Sequence, residues 1–237
     1  MTGSEQHINS AFDQDLITLN EQVGELARLA GIQFENAIDA LATQNEDQLN
    51  AVINGDKALD ELEAQINEKA LEVIAIRAPR AADLRHVLVS LKVAAILERI
   101  GDYARNIANR AKVISAAGNE NIPGVNIGRM GQVAREMIND AMRSFNDRDA
   151  KLALDVWRRD VEVDHMHTAF YKEVLASMSR NPKLVGAGAH LLFIAKNIER
   201  IGDHATGIAE QVHFLVAGVV PEEDRPKADK TSKVVSV

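Results

Sequence analysis

The amino-acid sequence predicts an all-α protein built from two tandem, homologous three-helix bundles. Apolar side chains recur every three or four residues through six long segments, which is the spacing of one helix face. The 237 residues include only five prolines and 14 glycines, too few turn-forming residues for a protein of many strands. The six segments also fall into two similar halves, which indicates an internal repeat.

The first half is predicted to form a three-helix bundle over residues 8–117. Its helices cover, in order, residues of about 8–44, 46–77 and 80–117. The polar stretch 43–47 separates the first two helices, since it offers residues suited to a helix N-cap. Pro79 ends the second helix, because proline cannot donate the backbone hydrogen bond that a helix interior requires.

The second half repeats this scheme after a linker at residues 118–127, a stretch rich in asparagine and glycine. A second bundle is predicted over residues 128–217. Its helices cover residues of about 128–146, 148–180 and 183–217, with Asn181 and Pro182 as the last break. Residues 218–237 have mixed charge and few apolar side chains, so we expect a flexible tail.

Two identical strings show where the halves correspond. Glu-Arg-Ile-Gly-Asp occurs at residues 98–102 and again at residues 199–203, a shift of 101. The first two helices align with the fourth and fifth at a shift of 104. Each string also places a glycine inside a helix, which costs roughly 1 kcal/mol relative to alanine. The repeated glycine therefore suggests close backbone approach or room for a ligand.

The repeat carries pairs of acidic residues four positions apart, which project from one face of a helix. The middle and the last helix of each half both carry such a pair. The eight candidate metal ligands are Asp56, Asp60, Glu98, Asp102, Asp160, Asp164, Glu199 and Asp203. If neighbouring helices bring the pairs together, each half presents four carboxylates, which would raise their own pKa values or require cations.

The position of the acids relative to the apolar stripe predicts an open surface cluster. Glu98 and Asp102 each lie two residues from Ile100 in the stripe, about 200° around the helix. Oxygen ligands favour magnesium, calcium, manganese or iron, with zinc also possible. His165, His167 and His204 adjoin the acids and could add nitrogen ligands. A solvated acidic face without metal is the competing interpretation.

Composition excludes several classes of function. The net charge of −8 argues against general affinity for nucleic acid or acidic membranes. The absence of cysteine excludes disulfides, cysteine-based metal sites and thiol catalysis. No apolar run approaches the roughly 20 residues of a membrane span, and the polar N-terminus is unlike a signal peptide. We therefore expect a cytoplasmic protein. No nucleophile–base set or phosphate-binding loop indicates an enzyme.

The doubled Glu-Arg-Ile-Gly-Asp string, the acidic pairs and the corner Ala-Pro-Arg-Ala-Ala-Asp-Leu-Arg at residues 78–85 resemble the PhoU family. The resemblance covers residues of about 8–217 and implies paired helical bundles whose acidic motifs bind metal ions such as iron, manganese, magnesium or zinc. It also implies a cytoplasmic, commonly dimeric regulator without catalytic activity, which restrains phosphate uptake and the phosphate-starvation response. The implied partners are the ATPase subunit of the phosphate transporter (PstB-like) and a sensor histidine kinase (PhoR-like), so any membrane association is peripheral.

Two other functions stay open from the residues alone. A carboxylate-bridged metalloenzyme, an oxidase or a hydrolase, would use the same acids and require a substrate pocket. Glu162 and His165 form one Glu-x-x-His unit of the kind that diiron oxidases use, but the first half has no counterpart. A helical scaffold with solvated acids would bind no stoichiometric metal.

Overall fold

The computed structural model describes residues 3–118, 125–221 and 227–234. Six α-helices account for most of these residues, and no strand occurs among them, so the predicted all-α class is confirmed. The helices are α1 Gly3–Thr43, α2 Glu46–Arg77, α3 Ala82–Ala116, α4 Val125–Asp147, α5 Ala150–Arg180 and α6 Val185–Ala217. Short 3₁₀ helices lie at Pro182–Leu184 and Thr231–Lys233. None of the described helices has the length and apolar character needed to cross a bilayer.

Side-chain caps start two of the helices, α2 and α5. The Asn45 side chain accepts a hydrogen bond from the Gln48 amide at 3.1 Å and starts α2, as the polar stretch predicted. The Asp149 side chain caps α5 in the same way, and Asn181 ends it. Two boundaries differ from prediction. Helix α1 starts at Gly3 rather than near residue 8, because its first residues are polar and show no apolar period from which a helix could be predicted. Helix α4 starts at Val125, inside the predicted linker. Residues 119–124 of that linker lie outside the described residues.

The two bundles pack side by side around one continuous apolar core. Helices α1, α2 and α3 form the first bundle, and α4, α5 and α6 form the second. Helix α3 packs against α6, and α1 packs against α4, so the core extends across both bundles. The apolar side chains that recur at helical spacing along α3 and α6 are buried or half-buried throughout. These stripes are Val89, Val93, Ile96, Ile100, Tyr103 and Ile107 in α3, and Leu191, Ile194, Ile198, Ile201, Ala205, Ile208 and Val212 in α6. The last helix of each half therefore lies at the centre of the molecule.

Helices α3 and α6 run antiparallel, and the two motif copies meet at the middle of their contact. Tyr103 and His204 follow the motif aspartate in each half, and their rings stack with centroids 5.3 Å apart. On one side Ile96 lies beside Gly207, and on the other Arg110 lies over the Phe193 ring at 4.0 Å. The contacts thus run in opposite directions along the two helices, with the equivalent residues Tyr103 and His204 at their centre, as an approximate two-fold axis requires.

The corner between α2 and α3 also joins the bundles. Ala78 and Ala81 both have positive φ angles, 46° and 47°, which turns the chain between the helices, so the predicted corner is confirmed. Arg85 follows it and reaches the end of α6, where its guanidinium lies 5.5 Å from the centroid of the Phe214 ring. The corner therefore positions a residue that contacts the second repeat.

The residues after α6 differ from the flexible tail that the sequence predicted. Residues 227–234 pack against α5 and α6, and the Ala228 amide donates a hydrogen bond of 2.7 Å to Asp164. The prediction failed because these contacts use backbone amides and single polar side chains, which leave no apolar pattern in the sequence. Residues 222–226 and 235–237 lie outside the described residues.

A buried histidine provides a third contact between the bundles. His86 on α3 lies between Asn20, whose Oδ1 is 2.7 Å from Nε2, and Arg148, whose Nη2 is 3.0 Å from Nδ1. Because Arg148 can only donate, Nδ1 must accept, and the neutral ring donates from Nε2 to Asn20. Burial, and then the neighbouring Arg148, lower the pKa of His86 below its ordinary value of 6.5.

We expect His86 to make stability depend on pH. The unfolded chain takes up the proton near pH 6.5, whereas the folded chain resists it down to a lower pH. The free energy of unfolding should therefore be fully retained above pH 6.5 and fall as the pH drops below it. Urea unfolding from pH 8 to pH 5 should show this fall, and His86→Gln should make it shallower. His165→Gln, on the exposed face of α5, is the control; an unchanged profile in His86→Gln would contradict the assignment.

Candidate functional site

The structure gathers the acidic pairs of the first repeat into one group between α2 and α3, and it places those of the second repeat on α5 and α6, which pack together at Val163 and Gly202. We call Asp56, Asp60, Glu98 and Asp102 the first acidic site. In this site the Arg105 guanidinium joins the two helices, because Nη1 contacts Asp56 on α2 and Nη2 lies 2.6 Å from Asp102 on α3. We call Asp160, Asp164, Glu199 and Asp203 the second acidic site.

Both sites are less open than the predicted surface clusters. Asp56 is 5% exposed, Asp160 1%, Asp164 3% and Glu199 5%. Glu98, Asp102 and Asp203 are half-buried, and Asp60 alone of the eight is exposed. The prediction of an open cluster is therefore wrong for half of the acids.

The error has a simple geometric cause. The prediction measured each pair against the apolar stripe of its own helix, and the acids do point away from that stripe. A central helix has neighbours on more than one side, however, and the acids of α3 face α2 while those of α6 face α5. The side opposite the stripe is then a seam between helices rather than solvent.

Burial and mutual repulsion affect the first acidic site most strongly at two positions. Burial raises the pKa of Asp56; Arg105 opposes this rise, and Asp60 and Asp102 add to it. Burial also raises the pKa of Glu98, helped by Asp102 and opposed by Arg99. Arg99 lies on the outside of the site, with Nη1 3.2 Å from Asp102. Two guanidinium groups thus offset at most half of the negative charge of the four carboxylates.

A lysine has the corresponding role in the second acidic site. The Lys196 Nζ lies 2.7 Å from Glu199 Oε2 and 3.4 Å from Asp229 Oδ2. Burial raises the pKa of Glu199 to about 7, although Lys196 acts in the opposite direction. Asp203 adds repulsion one turn along the helix and contributes to the same rise. Glu199 is consequently a carboxyl group that exchanges its proton near neutral pH.

Of the three histidines that adjoin the acids, only His167 faces the second acidic site. It is 2% exposed, and its Nδ1 lies 3.5 Å from Asp229 Oδ2. Burial lowers the pKa of His167, so the ring is neutral and available as a nitrogen ligand at neutral pH. His165 is exposed on α5, and His204 stacks on Tyr103.

Sequence reasoning missed three charged residues of the sites: Arg105, Lys196 and Asp229. For two of them, the spacing along the helix could have predicted a contact with a motif acid. Arg105 is three residues after Asp102, and Lys196 is three residues before Glu199, which are neighbouring positions on a helix. Asp229 had no such signal, because it lies in a polar segment without periodicity.

The motif glycines allow α3 and α6 to approach their neighbours closely. A Cβ added at Gly101 would lie 2.7 Å from Leu59 Cδ2, whereas one at Gly202 would lie 3.4 Å from Val163 Cγ1. Leu59 and Val163 are equivalent residues at the shift of 104. Close helix approach is thus the reason for Gly101, and the smaller valine relaxes the same constraint at Gly202.

Comparison with known proteins identifies the family. A domain family described as "PhoU domain" matches twice, at residues 23–111 and 127–212. The chain belongs to the PhoU family. The two matched segments correspond to the two bundles, so each bundle is one PhoU domain. The resemblance that the motifs suggested is confirmed.

Relatives of similar length extend along nearly the whole chain. The phosphate-specific transport system accessory protein PhoU homolog of Caulobacter vibrioides is 38% identical over 228 residues, which cover 96% of this chain and 99% of that protein. The homolog of the same description from Rhizobium meliloti is 37% identical over 234 residues, or 99% of each chain. The family relationship therefore includes the C-terminal segment as well as the bundles.

Two crystal structures have the same fold. PhoU from Pseudomonas aeruginosa superposes with a TM-score of 0.85 at 30% identity, covering 88% of this chain and 100% of that one. The phosphate transport system regulatory protein PhoU from Streptococcus pneumoniae gives a TM-score of 0.83, covering 90% and 100% of the two chains. At 24% identity the second comparison supports the fold alone.

We expect alanine to act differently at the two motif glycines. Gly202→Ala should leave stability unchanged or raise it by up to about 1 kcal/mol, because alanine favours the helix and meets only ordinary contacts. Gly101→Ala should be less stable than Gly202→Ala by about 1–3 kcal/mol, because its methyl group overlaps buried Leu59. Urea unfolding of both variants measures the difference. Restored stability in Gly101→Ala/Leu59→Val would confirm the cause, and equal stability of the two single variants would refute it.

Proposed function

We propose that this chain is a regulatory adaptor that restrains phosphate uptake and the phosphate-starvation response when phosphate is plentiful. The observation that carries the proposal is similarity over 96% of the chain to a protein named as an accessory protein of the phosphate-specific transport system. In this proposal the adaptor acts in the cytoplasm. One partner is the ATPase subunit of the phosphate transporter, and the other is the sensor histidine kinase.

The architecture suits an adaptor with two partners. Helix α2 packs against α3 and its counterpart α5 packs against α6, so the two bundles present corresponding helices on either side of the approximate two-fold axis. Their sequences have diverged, so related surfaces can differ in what they recognise. The accessory role in the names of the relatives also favours an adaptor over an enzyme.

We further propose that the acidic sites bind metal ions, with iron, manganese, magnesium or zinc as candidates. The donor types suit such ions, because carboxylates on two helices form an oxygen-rich set and the pKa values of Asp56 and Glu98 are raised by burial and by their acidic neighbours. Among the described residues, no three of the eight acids bring ligand atoms within 4.8 Å of one another, so the carboxylates would have to draw together around an ion. A bound cation would stabilise the ionised carboxylates. In the first acidic site it would have to replace the Arg105 guanidinium.

A carboxylate-bridged oxidase or hydrolase is the alternative from another class. The oxidase would need a Glu-x-x-His pair that faces the interior of its bundle. Glu162 and His165 are both exposed on α5, on the side away from Asp160 and Asp164. The placement of this pair therefore does not favour the enzyme.

Removal of the competing guanidinium should strengthen metal binding at the first acidic site. Arg105→Gln eliminates the positive charge between Asp56 and Asp102, so the affinity for Mn²⁺ should rise about tenfold, or roughly 1.4 kcal/mol. Isothermal titration of protein purified without chelators measures this change. Arg28→Gln, which removes an exposed ion pair on α1, is the control. An affinity that Arg105→Gln leaves unchanged or lowers would show that the site does not hold the metal.

The regulatory role predicts a phenotype at high phosphate. A strain that lacks this gene should take up phosphate faster and express a phosphate-starvation reporter several-fold more strongly than its parent. A plasmid copy of the gene should restore both values.

Purified transporter ATPase and the cytoplasmic part of the kinase should each bind the chain in pull-down experiments.

The two measurements test the two partners separately. Altered uptake with an unchanged reporter would retain the transporter as a partner and remove the kinase. Unchanged uptake and an unchanged reporter would refute the regulatory proposal. Catalytic turnover that disappears with Glu98→Ala and Asp203→Ala would favour the enzyme instead.

A further inference from the structure

Residues 227–234, which we call the C-terminal strap, lie over the second acidic site and are held by backbone hydrogen bonds. The Ala228 amide donates to Asp164 Oδ2 at 2.7 Å, and the Lys230 amide donates to Thr168 Oγ1 at 3.0 Å. Both acceptors belong to α5. The strap therefore docks at a defined register, with Asp229 between its two anchors.

The docked strap directs the Asp229 carboxylate into the site. Asp229 Oδ1 accepts a hydrogen bond from the Thr231 amide at 2.9 Å, which fixes the side chain. Its Oδ2 points towards His167 Nδ1, 3.5 Å away, and Lys196 Nζ, 3.4 Å away. Burial alone would raise the pKa of Asp229, but the hydrogen bonds from Thr231, supported by the charge of Lys196, outweigh it, and the net pKa is lowered. Asp229 is thus an ionised ligand at neutral pH.

Three residues converge at this point. One ligand atom each from His167, Glu199 and Asp229 lies within 4.8 Å of the other two. His167 is nearly inaccessible, at 2% exposed, and its Nδ1 makes no well-formed hydrogen bond, because the Asp229 carboxylate is 3.5 Å away. A buried ring nitrogen without a hydrogen-bond partner is costly, and a metal ion is a partner that would satisfy it.

The position of Lys196 supports a cation at the centre of this group. Its ammonium group lies between Glu199 and Asp229, where electrostatics favour positive charge. The Lys196 side chain is 38% exposed, so it can turn to solvent when another cation takes its position. Lysine and a metal ion would then compete for the same two carboxylates.

We propose that the C-terminal strap completes a site for one divalent cation, with His167, Glu199 and Asp229 as its ligands and Lys196 as its internal competitor. Only Glu199 belongs to the eight acids of the repeated motif. The inference therefore concerns a site specific to the second repeat, and it does not rest on the regulatory role proposed above.

The ligand types indicate which metal this site prefers. One imidazole nitrogen and two carboxylate oxygens suit Zn²⁺, Fe²⁺ or Mn²⁺ better than Mg²⁺ or Ca²⁺, which favour oxygen alone. In the first repeat the position equivalent to His167 is Glu63, whose charge acts on Glu98. The first acidic site is thus an all-oxygen donor set. The two repeats should select different ions.

The first test is a metal titration of the full-length chain in competition with a chromophoric chelator. Wild-type protein should bind Zn²⁺, and Asp229→Asn should weaken one equivalent by about tenfold or more. Asparagine retains the oxygen that accepts from Thr231, so the change removes the charge with little effect on the docking of the strap. Asp155→Asn, on an exposed part of α5, is the matched control. Lys196→Gln should strengthen the same equivalent, because it removes the competing ammonium group.

Trypsin provides a second readout that reports on the strap itself. Lys227, Lys230 and Lys233 are exposed and lie within the strap. Zn²⁺ at ten times its Kd should slow cleavage at Lys230 by about tenfold, since the ion binds only the docked form. Asp229→Asn should lose this protection, whereas the Asp155→Asn control should retain it.

The outcomes separate this inference from metal binding at the other acids. Loss of one equivalent in Asp229→Asn, with the remaining metal retained, supports the site. Equal affinity in wild type and Asp229→Asn overturns it, even if metal still binds at the first acidic site. Weaker binding in Lys196→Gln also overturns it, because a competitor cannot strengthen the binding of its rival. His167→Gln, checked for folding by circular dichroism, must weaken the same equivalent or the proposed nitrogen ligand is wrong.

Discussion

Carboxylates buried between helices have to be neutralised, and this constraint links the motif, the packing and the candidate sites of this PhoU-family chain. An isolated buried charge is too costly for a folded domain to retain. The helices that carry the acids are also the central helices of the molecule, and their motif glycines bring them close to α2 and α5. The close packing of α3 on α2 and of α6 on α5 therefore also buries the acids at the boundary between these helices. Each boundary then needs a cation, and the chain supplies one of its own: Arg105 in the first repeat and Lys196 in the second.

The sequence was sufficient for the parts of the structure that repeat along a helix. The apolar period gave α2 at its observed bounds, and Asn45 capped it as the polar stretch indicated. The lateral contact of α3 with α6 could not be predicted in the same way, because each helix satisfies its own periodicity whichever neighbour it meets. The burial of Asp56 and Glu199 depends on which side of α3 meets α2 and which side of α6 meets α5, and it was missed for the same reason. Asp229 shows the limit most clearly, since its role depends on two backbone hydrogen bonds that no side-chain pattern records.

Divergence between the repeats is concentrated where the acids meet their neighbours. Leu59 corresponds to Val163, and the smaller side chain gives Gly202 room that Gly101 lacks. Glu63 corresponds to His167, which replaces a carboxylate oxygen with a ring nitrogen at the edge of the second site. Both changes leave the apolar stripes intact, so they alter the chemistry of a site without altering the fold. A duplicated bundle can in this way keep one architecture and acquire two different cation environments.

The two internal cations differ in how readily they can be exchanged. Arg105 binds Asp56 and Asp102 through separate nitrogens of one planar group, which stays charged at every physiological pH. Lys196 is a single charge on a flexible stem, and a lysine leaves an ion pair without breaking a paired geometry. The second acidic site also contains Glu199, whose pKa burial raises to about 7, so that a proton can replace a cation there. Ion exchange should therefore be easier in the second repeat, under the strap, than in the first, where a guanidinium already joins the helices.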